Sequence, residues 1–163
     1  VEARELNVEG LLNCLTEFAE HRALWPEYDV RSLGWVRDTI ARKTHWGALR
    51  MLAIYSTRGA LLGWYVYHLK PAGESNLLQI MAKKTSIEVV LDHLFYDDWQ
   101  QGSLGITGRS EPQFMPALVD KYCFLNGAPW LLLHSHDAPL LKSIQQGDVL
   151  LSKLEGEWCM RFK

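Results

Sequence analysis

The chain has 163 residues, of which 48% are hydrophobic and 22% are charged. A chain of this length is most simply one domain and can bury a sizeable core. Its formal net charge of −2 argues against a general binder of nucleic acid or of membrane surfaces, because such proteins carry excess positive charge. The apolar runs are far shorter than the roughly 18 residues that a membrane-spanning helix needs, so we expect no membrane contact.

The cysteines Cys14, Cys123 and Cys159 are odd in number and lie far apart. Their spacing matches neither a zinc site nor a disulfide framework. Unpaired thiols are typical of a reducing compartment, so we expect a cytoplasmic protein. The chain begins at Val1, which is typical of a trimmed chain or of the C-terminal part of a longer protein, and we expect residues 1–163 to form a single domain.

The first forty-odd residues predict two helices. Over residues 7–25 the apolar side chains recur at helical spacing, and Pro26 closes this segment. Asp29 is suited to cap a second helix over residues 30–43, because its carboxylate can accept hydrogen bonds from the first N–H groups.

Three strands and a long helix follow. Residues 48–56 and 60–70 predict an antiparallel hairpin around a turn at Thr57-Arg58-Gly59. Residues 77–83 predict the third strand. Thr85 or Ser86 can then cap a helix over residues 87–101, which Gly102 ends. The side chains expected on the buried face of this helix are Ile87, Val90, Leu91, Leu94 and Phe95.

The rest of the chain alternates between strands and helices. We predict strands over 103–109, 130–137, 148–154 and 157–162, and helices over 113–123 and 137–147. A hairpin followed by strand–helix–strand units is typical of an α/β (α+β) protein. We therefore expect a mixed, mainly antiparallel central sheet with helices on both faces.

This order of elements resembles the GNAT acyltransferase fold. In that family a first strand and two helices lead into a three-strand meander, whose last strand enters the central helix through a turn that binds the pyrophosphate of acyl-coenzyme A. Here residues 48–84 look like the meander, 86–101 like the central helix and 103–109 like the splayed fifth strand. The family's first strand is not evident. The ending, 147–162, also looks like that of FemAB-related proteins, which often carry two GNAT-like halves, so a second such half or a homodimer is the expected partner.

The stretch that matches the family's phosphate turn is AKKTSI, residues 82–87. The family's turn carries glycines, and this one has none. Side chains can replace them, because Thr85 and Ser86 carry hydroxyl donors, two lysines supply charge, and the helix N-terminus favours anions. Alternatively, the hydroxyls only cap the helix and the lysines are solvated. The residues that the resemblance implies for acyl-CoA binding are Ile80, Met81, Ala82, Lys83, Lys84, Thr85, Ser86, Ile87 and Arg109.

Three residues are candidates for catalysis. Tyr122, in YCFLNG, is similar to the family's tyrosine that protonates the departing thiolate, although it can equally pack a helix end. His134 and His136 would share one face of a strand, where they could bind a metal or act as a base. A metal needs further ligands that the sequence does not offer, so we expect none. A hydrogen-bonded pair at the surface accounts for both histidines, and His134 is the candidate if one of them acts as a base. In the resembled fold, Gln79 would face the cleft.

The resemblance implies an N-acyltransferase that moves an acyl group from acetyl-CoA or another acyl-CoA to an amine on a small molecule or peptide. Backbone N–H groups on residues 77–82 would polarise the thioester carbonyl. Because the glycines are missing, a non-catalytic GNAT-like module, which binds a ligand or supports a partner half, remains an alternative. Aminoacyl-tRNA is a less favoured donor, because binding it depends on phosphate contacts that an acidic chain is poorly suited to make.

Overall fold

The structure is a computed structural model that describes residues 1–19, 22–127 and 134–155. Within these residues the strands form one five-stranded sheet in the order β1-β2-β3-β4-β5. The strands are β1 Glu2–Glu5, β2 Ala48–Tyr55, β3 Leu61–Leu69, β4 Glu74–Ala82 and β5 Gly105–Thr107. The first four pair antiparallel, and β5 runs parallel to β4. The mixed, mainly antiparallel sheet predicted from the sequence is therefore confirmed.

The helices follow the predicted order with shorter bounds. They are α1 Val8–Ala19, α2 Val30–Ala41, α3 Ile87–Gln100, α4 Met115–Asp120 and α5 Ala138–Gln145. Short 3-10 turns cover Thr44–Trp46 and Pro112–Phe114. None of the helices in the described ranges combines the length and the apolar character that crossing a bilayer demands.

Helices pack on both faces of the sheet, as the sequence predicted. On one face, Phe18 of α1 lies edge-on to Trp64 of β3, with 4.9 Å between the ring centroids. On the other face, the Tyr67 hydroxyl donates a 2.7 Å hydrogen bond to Asp97 of α3. The opposite directions of these two β3 side chains follow from strand alternation.

The local signals at two helices are largely confirmed. Asp29 caps α2 through a 2.6 Å hydrogen bond from the Ser32 N–H, within a reciprocal capping box. Gly102 follows α3 with a φ of 82°, the left-handed conformation that glycine adopts without strain. On α3 the predicted apolar positions Ile87, Val90, Leu91 and Leu94 are buried, and Phe95 is partly buried.

The first strand corrects the sequence analysis, which found none. Glu2–Glu5 pairs antiparallel with β2, at the edge of the sheet. All four of its side chains are exposed, so it carries none of the apolar alternation that marks a half-buried strand. Ladder hydrogen bonds to β2 and the stacking of Arg4 on Tyr55, at 4.5 Å, hold it instead.

The chain after β5 is less regular than predicted. The helix expected over 113–123 is split into a 3-10 turn and the short α4. Residues 134–137 are not in a strand, and 148–154 contribute only an isolated bridge between Leu24 and Val149. The remainder of the predicted strand 130–137 and the strand 157–162 lie outside the described residues, as does Cys159.

Candidate active site

The opening between β4 and β5 is the feature on which the site is built. The two strands pair only at Glu74, Ser75 and Asn76, and β4 continues to Ala82 without β5 beside it. Among the described residues, this separation leaves residues 77–82 of β4 with no strand paired along that edge. This is the stretch that the sequence analysis assigned to the thioester.

Backbone hydrogen bonds show which groups of β4 face the opening. The Lys83 N–H donates to Leu62 O of β3 at 3.3 Å, so the backbone N–H and C=O groups of Lys83 point towards β3. Leu78 O accepts from the Leu154 N–H at 3.2 Å, so the backbone groups of Leu78 point away from β3, towards the opening. Because backbone groups alternate along a strand, the N–H and C=O groups of Ile80 and Ala82 also face the opening.

Residues 147–155 lie along this edge and are referred to below as the 147–155 segment. Arg22 Nη1 donates to Gly147 O at 3.0 Å, and the Leu150 N–H donates to Leu24 O at 2.8 Å. At the other wall Arg109 Nη1 donates to Leu151 O. The segment therefore bridges the residues that follow α1, the residues that follow β5 and the open edge of β4.

Gln79, a predicted catalytic residue, is 1% exposed and anchors this segment. Its Oε1 accepts from Trp64 Nε1 at 2.8 Å, and its Nε2 donates to Glu155 Oε1 at 2.8 Å and to Ser152 Oγ at 3.3 Å. Glu155 also accepts the Ser152 N–H at 2.7 Å. Burial raises the pKa of the Glu155 carboxyl above its usual value, against the hydrogen bonds from Ser152, which lower it. Gln79 thus holds the segment in place, and its amide is already engaged.

A small cavity lies between the β4 edge and the residues that follow β5. It is lined by residues 77–80 of β4 together with Arg109, Glu111 and Ser152, and it has a free volume of about 10 Å³. That is close to the space that one water molecule needs. Arg109, predicted to bind the ligand, is therefore placed in the wall of the opening beside β4.

Glu111, in the same wall, was missed by the sequence analysis. It is 6% exposed, and within the described ranges no hydrogen bond or ion pair reaches its carboxylate. Burial raises the pKa of this carboxyl, Glu155 adds to the rise, and Arg109 and Arg22 oppose it. In the sequence Glu111 stands before Pro112 in a polar stretch, so only its place next to a helix start could have drawn attention to it.

The predicted phosphate turn has free donors, but Ser86 does not supply them. The Ser86 N–H donates to Lys83 O at 2.9 Å and its hydroxyl donates to Leu62 O at 2.8 Å. Ser86 stands at the N-cap position of α3, as expected, yet its hydroxyl does not accept from the helix. Across the described chain, the N–H groups of Lys84, Thr85 and Ile87 donate to no other group. A helix N-terminus with such donors is suited to an anion.

The side chains around the turn differ in exposure. Lys83, Lys84 and Thr85 are exposed, whereas Met81 and Ala82 are buried at the end of β4. Lys83 Nζ lies 3.9 Å from a Glu17 carboxylate oxygen, in a solvent-exposed pair that contributes little to stability. The turn therefore offers exposed cations beside a helix N-terminus.

Tyr122 and His134 lie apart from this arrangement. Tyr122 follows α4 with a φ of 56° and is 95% exposed. Its N–H donates to Val119 O and the Cys123 N–H to Leu118 O, which is the Schellman ending of a helix. His134 is exposed, and its ring lies 5.6 Å from that of His136. Among the described residues, neither Tyr122 nor His134 forms a hydrogen bond or a ring contact with β4, and no cluster of His, Cys, Asp and Glu side chains has the makings of a metal site.

Solved acetyltransferase structures share this fold. No protein-family model and no curated protein matches the chain. An acetyltransferase from Trypanosoma brucei is similar with a TM-score of 0.53 at 14% identity, over 82% of this chain and 99% of that one. A putative acetyltransferase from Agrobacterium tumefaciens gives 0.54 at 12% identity, over 82% and 100%. A ribosomal-protein-alanine N-acetyltransferase from Brucella melitensis gives 0.51 at 11% identity, over 83% and 100%. At these identities the likeness shows the GNAT fold alone.

Proposed function

We propose that this protein is an N-acyltransferase of the GNAT type, which moves an acyl group from acetyl-CoA or another acyl-CoA to an amine on a small molecule or peptide. The observation that carries this proposal is the open edge of β4, where the backbone of Ile80 faces a gap that β5 leaves free. A strand edge of this kind can bind a thioester through backbone hydrogen bonds, as an added strand would.

The donor would lie along β4 and end at the turn before α3. Its pyrophosphate would be bound by the N–H groups of Lys84, Thr85 and Ile87, with the two exposed lysines supplying charge. The Ile80 N–H would donate to the thioester carbonyl oxygen, on which negative charge develops during attack. Arg109 lies in the opposite wall and would contact the ligand from there.

The chemistry would depend mainly on holding the amine next to the carbonyl carbon. Tyr122 remains our proposed proton donor to the departing thiolate, and His134 a proposed base. Both side chains are exposed, so they would act only on a ligand that reaches their surface. Gln79 would support the reaction by positioning, since its amide already binds Trp64 and Glu155.

Binding of a thioester would require the 147–155 segment to loosen. The Leu154 N–H already donates a hydrogen bond to Leu78 O, and the cavity beside Ile80 has room for about one water molecule. An acyl group with its thioester sulfur is several times larger. The proposed enzyme therefore binds its donor by exchanging contacts of this segment for contacts with the ligand, at a cost in affinity.

A non-catalytic GNAT-like module is the second candidate, and two contacts favour it. The Ser86 N–H is used inside its own turn, and Leu78 O is used by the 147–155 segment. A module of this type would support a second GNAT-like half or bind a ligand without turnover.

A thermal-shift titration with CoA and acetyl-CoA separates the two candidates. At a ligand concentration 100 times Kd the stabilisation is about 2.7 kcal/mol, which raises the Tm of a chain of this size by roughly 5–10 °C. We expect a concentration-dependent rise that Lys83→Ala/Lys84→Ala diminishes. The matched control is Lys70→Ala/Lys142→Ala, because these exposed lysines lie in the β3–β4 turn and on α5. A flat response at millimolar ligand would contradict acyl-CoA binding by this chain.

A further inference from the structure

The outer side of α3 carries large side chains that face solvent. Asp92, Tyr96 and Trp99 follow one another at spacings of four and three residues, which places them on one side of the helix. The rings of Tyr96 and Trp99 lie side by side, with 6.0 Å between their centroids, and Gln100 Nε2 donates to the Tyr96 hydroxyl at 2.6 Å. The buried residues of α3 lie on the other side of the helix, so the packing of the fold does not account for these rings.

The residues after α4 extend this surface. Lys121 Nζ lies 2.5 Å from Asp92 Oδ1, which brings the end of α4 beside the middle of α3. Phe124, three residues further along the chain, is almost fully exposed. The surface is referred to below as the α3–α4 patch. It consists of Asp92, Tyr96, Trp99, Lys121 and Phe124.

The area of the patch is suited to an interface between two proteins. Tyr96, Trp99 and Phe124 are 55%, 68% and 93% exposed. An aromatic side chain offers about 150–250 Å², so these three leave on the order of 400 Å² of apolar surface in contact with solvent. A standard interface takes about 800 Å² from each partner, so the rings supply about half of it, and the exposed Val89 and Val119 add to them. An apolar patch of this size is often a functional surface.

The charges of the patch favour a second copy of this chain over a polyanion. Lys121 is the only Lys or Arg in α3 and residues 115–125, and it is already paired with Asp92. Glu88 and Asp120, which are exposed, would repel a nucleic acid or an anionic membrane. A strongly basic partner is disfavoured as well, because Asp92 already has its cation. The patch therefore suits an equally apolar surface, and an identical copy brings one.

We propose that the α3–α4 patch is the interface of a homodimer with two-fold symmetry. The three rings form the buried centre of the interface, and the acidic side chains of Glu88 and Asp120 belong to its rim. Tyr122 also stays at the rim, where a ligand can still reach it. Because α3 packs on the face of the sheet opposite α1, the dimer leaves α1 uncovered. The inference is compatible with the proposed function and does not depend on it.

Sedimentation equilibrium of the whole protein over a concentration series measures this association. The test variant is Tyr96→Ala/Trp99→Ala. Its matched control is Trp35→Ala/Trp46→Ala, because these tryptophans are about half exposed and belong to α2 and to the 3-10 turn after it. A second variant, Trp99→Glu, keeps a good helix former and places a negative charge from each copy at the centre of the interface. Circular dichroism shows whether each variant is folded.

The expected result has four parts. The wild type changes from the mass of one chain, 18.7 kDa, to twice that mass as its concentration rises into the micromolar range. Tyr96→Ala/Trp99→Ala raises the Kd of the dimer at least tenfold, since buried Trp and Tyr side chains dominate interface energies. Trp99→Glu leaves only the monomer, and the control behaves as the wild type. Added salt lowers the Kd, because it screens the repulsion between the acidic rims.

A wild type that stays monomeric at high micromolar concentration would overturn the inference. A dimer that Trp99→Glu leaves intact, or that the control weakens as much as the test variant does, would place the interface elsewhere and overturn it too. A monomer that binds vesicles of anionic lipid would assign the patch to a membrane instead. CoA-induced thermal shifts are measured separately, and their absence would contradict the proposed function while leaving the dimer in place.

Discussion

Two carboxylates, Asp97 on α3 and Glu111 after β5, have different surroundings. On the α3 side, Asp97 accepts 3.0 and 3.3 Å hydrogen bonds from Arg50 and a 2.7 Å bond from the Tyr67 hydroxyl. In the β4–β5 opening, Glu111 accepts none within the described chain. A buried charge with every partner in place points to a structural role, because the fold alone accounts for it. The lack of a partner does not by itself mark a ligand site, because the Oδ1 atom of Asp98 on α3, which is 4% exposed, also has none among the described residues.

Two tyrosine hydroxyls on the α3 side also have hydrogen-bond partners. Burial raises the pKa of the Tyr65 and Tyr67 hydroxyls, and the negative charge of Asp97 raises them further. Both phenols therefore keep their protons and serve as donors or acceptors in fixed hydrogen bonds, to His93 and Asp97. Asp98 is the exception on this side, because its Oδ1 atom has no hydrogen-bond partner among the described residues. We expect mutations of Tyr65, Tyr67 and Asp97 to change stability and leave ligand binding unaltered.

The largest stability effect is expected from Asp97→Ala. Removing the carboxylate leaves Arg50 half-buried without its partner, and we expect a loss of about 2–3 kcal/mol after allowing for partial exposure. This corresponds to a Tm lower by roughly 5–10 °C. The control on the same helix is Asp92→Ala, whose exposed pair with Lys121 contributes under about 1 kcal/mol. If Asp97→Ala abolished the CoA response while leaving the Tm unchanged, Asp97 would have a role in ligand binding and not the structural role assigned to it.

Glu155→Ala should lower the stability of the protein and raise its affinity for CoA. The Gln79 amide and the Ser152 N–H lose their acceptor, which costs about 2 kcal/mol in unfolding free energy. The loosened segment then competes less for the β4 edge, so CoA should bind more tightly. Calorimetric titration with CoA measures the second effect, and Glu74→Ala is the exposed control. Weaker CoA binding in Glu155→Ala would mean that the segment forms part of the ligand site.

Glu111→Gln should stabilise the protein, in contrast to Asp97→Ala. The pKa of Glu111 is raised in the folded state, so folding favours its protonated form. The stability gained in this way is complete below the pKa of the unfolded state, and it is lost as the pH rises through the pKa of the folded state. Glutamine does not titrate. The variant should therefore gain about 1 kcal/mol over the wild type at pH 8, and the difference should close below about pH 4. Urea unfolding at both pH values measures this, and a wild type that stays the more stable at pH 8 would show that Glu111 has a partner after all.

The smallest effect is expected at Tyr122, whose φ of 56° is unfavourable for a side chain with a Cβ atom. Tyr122→Gly removes that strain, although glycine loses more backbone entropy on folding, and we expect a net gain of about 0.5 kcal/mol. Tyr122→Phe should leave stability unchanged. If Tyr122 is the proton donor, both variants lose acetyl transfer. A Tyr122→Phe enzyme at full rate would remove it from the proposed mechanism.

Regular, half-buried elements were the predictable part of this fold. The hairpin of β2 and β3 and the buried face of α3 each repeat over several residues, and Asp29 and Gly102 mark helix ends by local chemistry. Signals of this kind depend on neighbours in sequence. They were enough to identify the sheet, its helices on both faces and the resemblance to GNAT proteins.

The parts that depend on distant contacts were not predictable. Val149, Leu150 and Leu154 are buried, as a strand over 148–154 would require, yet the segment is held by Gln79, Arg109 and Leu24 and not by a ladder. Glu111 gave no signal because its burial in the wall of the opening depends on residues that are distant in sequence. Tyr122 and His134 were candidates from the sequence, and the structure shows both as exposed side chains.

Amide NMR of the whole chain shows whether the edge of β4 binds an acyl thioester, as we propose. We predict that acetyl-CoA shifts the Ile80 N–H resonance more than CoA does, because only the acyl carbonyl reaches that donor. The amides of Ser75 and Asn76, which lie where β4 is paired with β5, should stay in place. If the Ile80 resonance is unmoved by millimolar acetyl-CoA while the protein is folded, the edge of β4 does not bind the thioester and the account is wrong.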